Sequence, residues 1–293
     1  MTRRMVIVSD LHVGSKVGLS DPSEDASDDA GLPVRERLFE AWRTAVGHAR
    51  WSSPDILVVN GDTVEGKNRK KGGVGLWTTE LDRQRDHAVH LLRMWNAKQT
   101  FMTTGSDYHV QAGGSGLDIE NDVAKASGAE PCTYDSQLFA PPEWYLTVEG
   151  LTFHIQHFIP VSRVFHYVST PIAREMMQAK LNDALRHEVT GFRTSITIRS
   201  HAHYTAHIEY SSTHGFITPC WKGKDDFMMR KGSLGLSPDI GFLGFEINSE
   251  GFTFEKVLWR QTEVQRPNHI VITGSGNRAR HRPTRTRTRK ARK

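Results

Sequence analysis

The sequence predicts an α/β protein in which two mixed β-sheets face each other between outer helices. Three observations point there. Through residue 105, apolar strand-like runs alternate with amphipathic helical segments, a β-α-β-α-β order that favours parallel strands and right-handed crossovers. After about residue 130 the pattern changes to short strands interrupted by one helix. Five of the apolar runs end in Asp or His, which places polar groups where open α/β sheets bind ligands.

Met5–Val8, in MVIVSDLH, reads as a buried parallel strand because both of its faces are apolar. Asp10 and His12 follow it, and residues i and i+2 of an extended chain share a side. A carboxylate and an imidazole converging on one point suit a divalent transition metal. Residues 17–35 form a loop rich in Ser, Asp and Gly. Residues 36–50 carry Leu38, Phe39, Trp42 and Val46 at helical spacing. The next apolar run, Asp55–Asp62, again ends in a carboxylate after a glycine. A basic, glycine-rich loop, Lys67–Gly75, follows, and Thr79 is the expected cap of a helix to about Ala97. Gln99–His109 is the third run of this kind, Leu151–His157 the fourth, and Ser195–His203, ending in H-x-H, the fifth.

Further strands are expected at 144–149, 151–157, 194–199, 207–211, 215–218, 241–247 and 252–259, with a hairpin turn at Asn248–Gly251. Pro171 suits the first position of the helix between them.

The 293 residues are 37% apolar and 24% charged, as in an ordinary globular protein. No stretch approaches the roughly 20 apolar residues needed to span a membrane, so no membrane partner is expected. The apolar run at the N-terminus is too short for a signal peptide, and Cys132 and Cys220 are too few for a disulfide framework. A reducing cytoplasm is the expected location.

The net charge of +5 belongs to the end of the chain. Residues 277–293 hold nine of the 38 Lys and Arg, which leaves 29 basic against 33 acidic residues elsewhere. Residues 269–293 are expected to be a disordered Arg-rich tail. Such a tail engages nucleic acid through phosphates, which makes nucleic acid the expected partner.

Taken in order, the residues resemble one family. D-x-H at Asp10–His12, G-D at Gly61–Asp62, a variant of G-N-H at Gly105–His109, the lone His157 and H-x-H at His201–His203 resemble the calcineurin-like metallophosphoesterases. Gly61–Asn68 and Thr218–Lys224 resemble segments of the phage and prophage branch of that family. The resemblance runs from Asp10 to His203, about two thirds of the chain. It implies a metallophosphoesterase α/β sandwich over residues 1–268 holding two divalent ions. Manganese is expected, with iron or zinc as alternatives.

Asp10, His12, Asp62 and His203 would hold one ion, and Asp62, His157 and His201 the other, with Asp62 bridging. The family's Asn ligand falls at Ser106 if no gap is allowed. Letting the loop run two residues longer gives His109 the role of general acid and leaves Ser106 or Asp107 as ligand. Asp107 is preferred because a carboxylate is the better ligand for a hard metal. Ser200 stands where the family has Gly before its H-x-H.

The implied chemistry is hydrolysis of phosphate esters by metal-activated hydroxide, with His109 protonating the leaving group. A phosphodiesterase or nuclease acting on nucleic acid is expected. The alternatives are a phosphomonoesterase acting on nucleotides or phosphoprotein, and a nucleic-acid-binding scaffold that has lost activity. Arg174, Trp221 and Lys222 are candidate substrate contacts, since guanidinium and ammonium groups suit phosphate. His154 lies on the face opposite His157 and is read as structural, His207 as a surface or substrate contact, and His187 and His214 as solvated.

Overall fold

A computed structural model describes residues 1–24, 29–68, 72–110, 118–162, 164–231 and 237–265. The Arg-rich tail and residues 69–71 of the basic loop lie outside the described residues.

One sheet has the order β10-β9-β1-β2-β3. Its parallel strands are β1 (Arg3–Val8), β2 (Ile56–Asn60) and β3 (Gln99–Thr103), in register at Met5↔Ile56 and Ile56↔Gln99. The hairpin of β9 (Ile240–Asn248) and β10 (Gly251–Trp259) adds to the free side of β1 antiparallel to it. Asn248 closes that hairpin by accepting the N–H groups of Glu250 and Gly251 at its Oδ1. The other sheet has the order β4-β5-β6-β8-β7. There β5 (Leu151–Gln156), β6 (Thr194–Arg199) and β8 (Thr213–Ile217) are parallel, and β4 (Glu143–Val148) and β7 (Ala206–Tyr210) are antiparallel edges.

The apolar run of β1 explains the layering. Its side chains alternate between two cores. Val6 and Val8 pack with Leu38 and Trp42 of α1 (Leu32–Val46) and with Leu91 of α2 (Leu81–Arg93). Met5 and Ile7 pack with Phe153, Ile196 and Phe216 of the second sheet. A third core, with Ile172 and Ile217, seats α5 (Thr170–Thr190) on the outer face of that sheet. The order of layers is helix, sheet, sheet, helix, as the sequence predicts.

The strands fall within two residues of their expected positions. The helices shift more. α1 starts four residues early, with Pro33 in its first turn, and Gly47 ends it. α2 starts after Glu80 with no side-chain cap, so Thr79 does not cap it. Between β3 and β4 lie the four-residue α3 (Asp107–Val110) and an unpredicted α4 (Ile119–Ser127). Asp118 caps α4 by accepting the N–H groups of Glu120 and Asn121. No helix among the described residues is long and apolar enough to cross a membrane.

Candidate metal centre

The segments that follow β1, β2, β5 and β6 meet, and each brings Asp or His. Beyond β1 and β2 the chains stay zipped by backbone bonds from Asp10 N to Gly61 O, His12 N to Asp62 O and Val13 N to Thr63 O, at 3.0, 3.0 and 2.9 Å. This ladder fixes Asp10, His12 and Asp62 relative to one another. Two glycines make room for it. A Cβ on Gly61 would meet the His157 ring, and one on Gly105 would strike Asp62.

Two groups of potential metal ligands result, Asp10–His12–His203 and Asp62–His157–His201. In the first, His203 Nε2 lies 3.2 Å from Asp10 Oδ1 and 3.3 Å from His12 Nε2. In the second, His157 Nε2 lies 3.1 Å and His201 Nδ1 3.8 Å from Asp62 Oδ2. The same Asp62 oxygen is 4.0 Å from His12 Nε2, so one carboxylate borders both groups.

The donor atoms fit cations better than they fit each other. Asp10 Oδ1, His157 Nε2 and His201 Nδ1 are buried with no hydrogen-bond partner. Buried polar atoms are nearly always paired. Here His157 Nε2 and His201 Nδ1 lie 3.1 and 3.8 Å from Asp62 Oδ2, and Asp10 Oδ1 lies 3.2 Å from His203 Nε2, yet all three are misaligned for hydrogen bonds, the arrangement of atoms aimed at a common third point. The backbone is strained to the same end. Ten described non-glycine residues have positive φ, and five of them are Asp10, His12, Asp62, His201 and His203, at 53°, 48°, 51°, 65° and 59°. Each costs on the order of 1–3 kcal/mol and clusters of this kind mark functional sites.

Supporting residues set the ring orientations. His157 Nδ1 donates to the Asn60 carbonyl at 2.7 Å, which turns Nε2 toward Asp62. Asn60 also donates to Gln156 O and Ser200 Oγ and accepts from Thr103 Oγ1, so it ties the two sheets together. Ser200 Oγ bonds Thr218 Oγ1 at 2.7 Å as well. The Ser200 hydroxyl is thus part of an inter-sheet network. Burial raises the pKa of Asp62, but His157 and His201 beside it hold the carboxyl well below the usual carboxylate range. Burial lowers His157, and the Asp62 charge outweighs it and lifts the ring to about 10. The His157 shift reflects the negative charge of Asp62 and Asp10 near the point where a cation would sit, and the Asp62 shift reflects the imidazoles beside it.

Asp107 is corrected by the geometry. It is exposed at the start of α3 and belongs to none of the ligand groups. Ser106 takes the place instead, donating its N–H and hydroxyl to Asp62 Oδ1 at 2.7 and 3.0 Å. Trp221 is fully buried, edge-on to Trp42 at 4.8 Å, and cannot reach substrate. Its backbone N–H braces the Asp10 carbonyl at 3.1 Å. Lys222 is buried too, with Nζ 2.9 Å from Glu65 Oε2. Arg174 stands exposed on α5, outside the ligand groups.

Of the remaining histidines, His154 pairs with Glu143 and stacks on Tyr145. His207 and His214 stack on each other away from the ligand groups, so His214 is not simply solvated. The His187 side chain lies outside the described residues.

Glu65 is the residue that sequence reasoning missed. Its Oε2 lies 2.8 Å from His12 Nδ1, and its backbone carbonyl is 2.8 Å from His109 Nδ1. His109 in turn stands edge-on to His12 at 4.7 Å. His12, Glu65 and His109 satisfy the spacing of a third ligand group. The Lys222 ammonium already neutralises that carboxylate and would repel a cation there, so the trio supports the centre rather than adding an ion.

No protein-family model matches the chain, and no curated protein matches it. Among solved structures it is similar to wild-type Vps29 complexed with zinc from Entamoeba histolytica, at 11% identity and a TM-score of 0.42 over 87% of this chain and 98% of that one. An archaeal phosphodiesterase shows 10% identity and a TM-score of 0.41 over 87% of this chain and 99% of that one. A conserved protein from Streptococcus pneumoniae, described as a predicted phosphoesterase, shows 9% identity and a TM-score of 0.34 over 88% of this chain and 99% of that one. Identities and TM-scores this low assign neither a family nor an activity to the chain.

Proposed function

We propose that the chain is a two-metal phosphodiesterase acting on nucleic acid, in keeping with its resemblance to phage-encoded metallophosphoesterases. One observation carries the reading. Asp62 Oδ2 lies within 4.0 Å of His12, His157 and His201 together, so a single carboxylate can bridge two ions. When bound, such a pair supplies water activation and an electrophilic clamp for in-line displacement at phosphorus. Asp10, His12, Asp62 and His203 would hold one ion, and Asp62, His157 and His201 the other. Manganese is the ion we favour.

The rest falls to side chains. Bonding of His109 Nδ1 to the Glu65 carbonyl leaves Nε2 as the atom that can pass a proton to the leaving oxygen. Burial lowers the pKa of His109, which eases release of that proton. The basic tail, residues 277–293, would hold the nucleic-acid backbone, and the site of action would be the cytoplasm.

A second reading has one observation in its favour. Ser106 offers Asp62 a hydrogen bond where the family's Asn would ligate, so the second ion has a poorer set of ligands. A nucleic-acid-binding scaffold without turnover would tolerate that.

The test is turnover of bis-p-nitrophenyl phosphate, p-nitrophenyl phosphate and DNA or RNA oligonucleotides across manganese, iron and zinc. Preference for the diesters is expected. Turnover of the monoester alone would overturn the diesterase reading. No turnover by a fully loaded protein would establish the scaffold.

A further inference from the structure

Two sides of the centre differ in chemistry. On the side of His12 stand Glu65 and Lys222, both buried and charged. On the side of His201 an aromatic ring, Phe158, is exposed. Phe158 follows the candidate ligand His157, two residues beyond the end of β5. Its side chain is 56% exposed, and its ring lies 5.1 Å from the His201 ring at a tilt of 39°. Exposed apolar side chains scattered singly need no explanation. Phe158 is different, because it is an open aromatic face in ring contact with a candidate metal ligand.

We propose that Phe158 is a stacking platform for a nucleobase of the substrate. The inference rests on the phosphodiesterase reading and adds which substituent of the diester is recognised and where. His109 borders the first ligand group, so the leaving group departs on that side. Phe158 borders the second group and faces the substituent that stays on phosphorus. A planar heteroaromatic base on that substituent can cover the open ring face, and every base has such a face. The platform therefore selects nucleoside diesters over alkyl diesters without reading sequence.

The experiment compares thymidine 5′-p-nitrophenyl phosphate with methyl p-nitrophenyl phosphate. The two share a leaving group and differ only in the retained substituent. The readout is the ratio of their kcat/KM values, with metal content measured alongside. Replacing Phe158→Ala should lower the ratio roughly tenfold, the size of a lost base–aromatic stack. F158W should restore it, and F158L should not, because leucine keeps the apolar cover but has no π-face. An unchanged ratio in F158A would overturn the proposal. Rescue by F158L, or loss of bound metal in F158A, would make Phe158 a shield for His201 and overturn it equally. If the unaltered protein turns over neither ester, the phosphodiesterase reading itself fails.

Discussion

Ser106 holds Asp62 by two bonds to one carboxylate oxygen, its backbone N–H at 2.7 Å and its hydroxyl at 3.0 Å. The hydroxyl also reaches the other oxygen, Oδ2, at 3.2 Å, the oxygen that faces His157 and His201. Groups that orient a metal ligand in this way are worth about 10–100-fold in metal affinity. We predict that Ser106→Ala weakens the second of two bound ions about tenfold by calorimetry. Asp107→Asn should leave both affinities unchanged, because Asp107 is exposed and outside the ligand groups. The reverse pattern would restore Asp107 as the ligand.

His109 should matter in proportion to how badly the leaving group needs a proton. His109→Ala is expected to slow hydrolysis of alkyl diesters about 100-fold, within the usual range for general acid catalysis. Nitrophenyl esters, whose leaving groups depart without protonation, should lose much less. Bound metal, read by elemental analysis, should stay constant. Equal losses for both ester types, with metal lost, would make His109 a ligand.

Lys222 and Glu65 form a buried ion pair that joins residues 157 apart in sequence. Removing one partner of such a pair strands the other charge and typically costs about 3–5 kcal/mol. We predict that Lys222→Met destabilises the fold by about that amount in urea unfolding. Adding Glu65→Gln to it should recover part of the loss. If Lys222→Met left stability intact but weakened substrate binding, the ammonium would be reaching substrate after all.

Glu120 gives the fold a dependence on pH. Its carboxyl is buried against Thr63, with Oε1 2.6 Å from the Thr63 nitrogen and Oε2 2.8 Å from its hydroxyl. Burial, reinforced by the Asp62 charge, raises its pKa from 4.5 to about 8. The folded chain therefore keeps the proton at neutral pH, and the unfolded chain does not. The resulting stability is fully present below about pH 4.5 and is lost as pH rises through 8. In metal-free protein, Glu120→Gln should gain on the parent by roughly 3 kcal/mol between pH 5 and 8.5, measured by urea unfolding at each pH. Divalent ions on Asp62 would cancel the charge that repels Glu120 and narrow the gap. A gap that does not change with pH would mean that Glu120 is already ionised in the fold.

Most of the framework was legible because it depends on local pattern. β1 is apolar on both faces since it feeds two cores, and the candidate ligands Asp10, His12, Asp62, His157, His201 and His203 sit where apolar runs stop. What escaped depends on long-range contact. Glu65 gains its role only beside Lys222, and Ser200 only beside Asn60, 140 residues away. Trp221, read as a candidate substrate contact beside Lys222, has Trp42 and Trp259 as its neighbours in space. α4 escaped because it is nine residues long and depends on the Asp118 cap and on a buried, polar Glu120 rather than on a clear apolar stripe.

The donors are divided evenly between the sheets. Asp10, His12 and Asp62 follow strands of one, and His157, His201 and His203 follow strands of the other. His12 and His203, whose Nε2 atoms lie 3.3 Å apart, are separated by 191 positions in sequence. The chain therefore leaves the ribosome with half of its donors long before the rest exist, and three donors on one sheet hold an ion far less firmly than the closed set. On the two-metal proposal, metal capture would thus be tied to the end of maturation. An ion taken up tightly would certify that both halves have been made and have docked, and a stalled or truncated chain would not hold one.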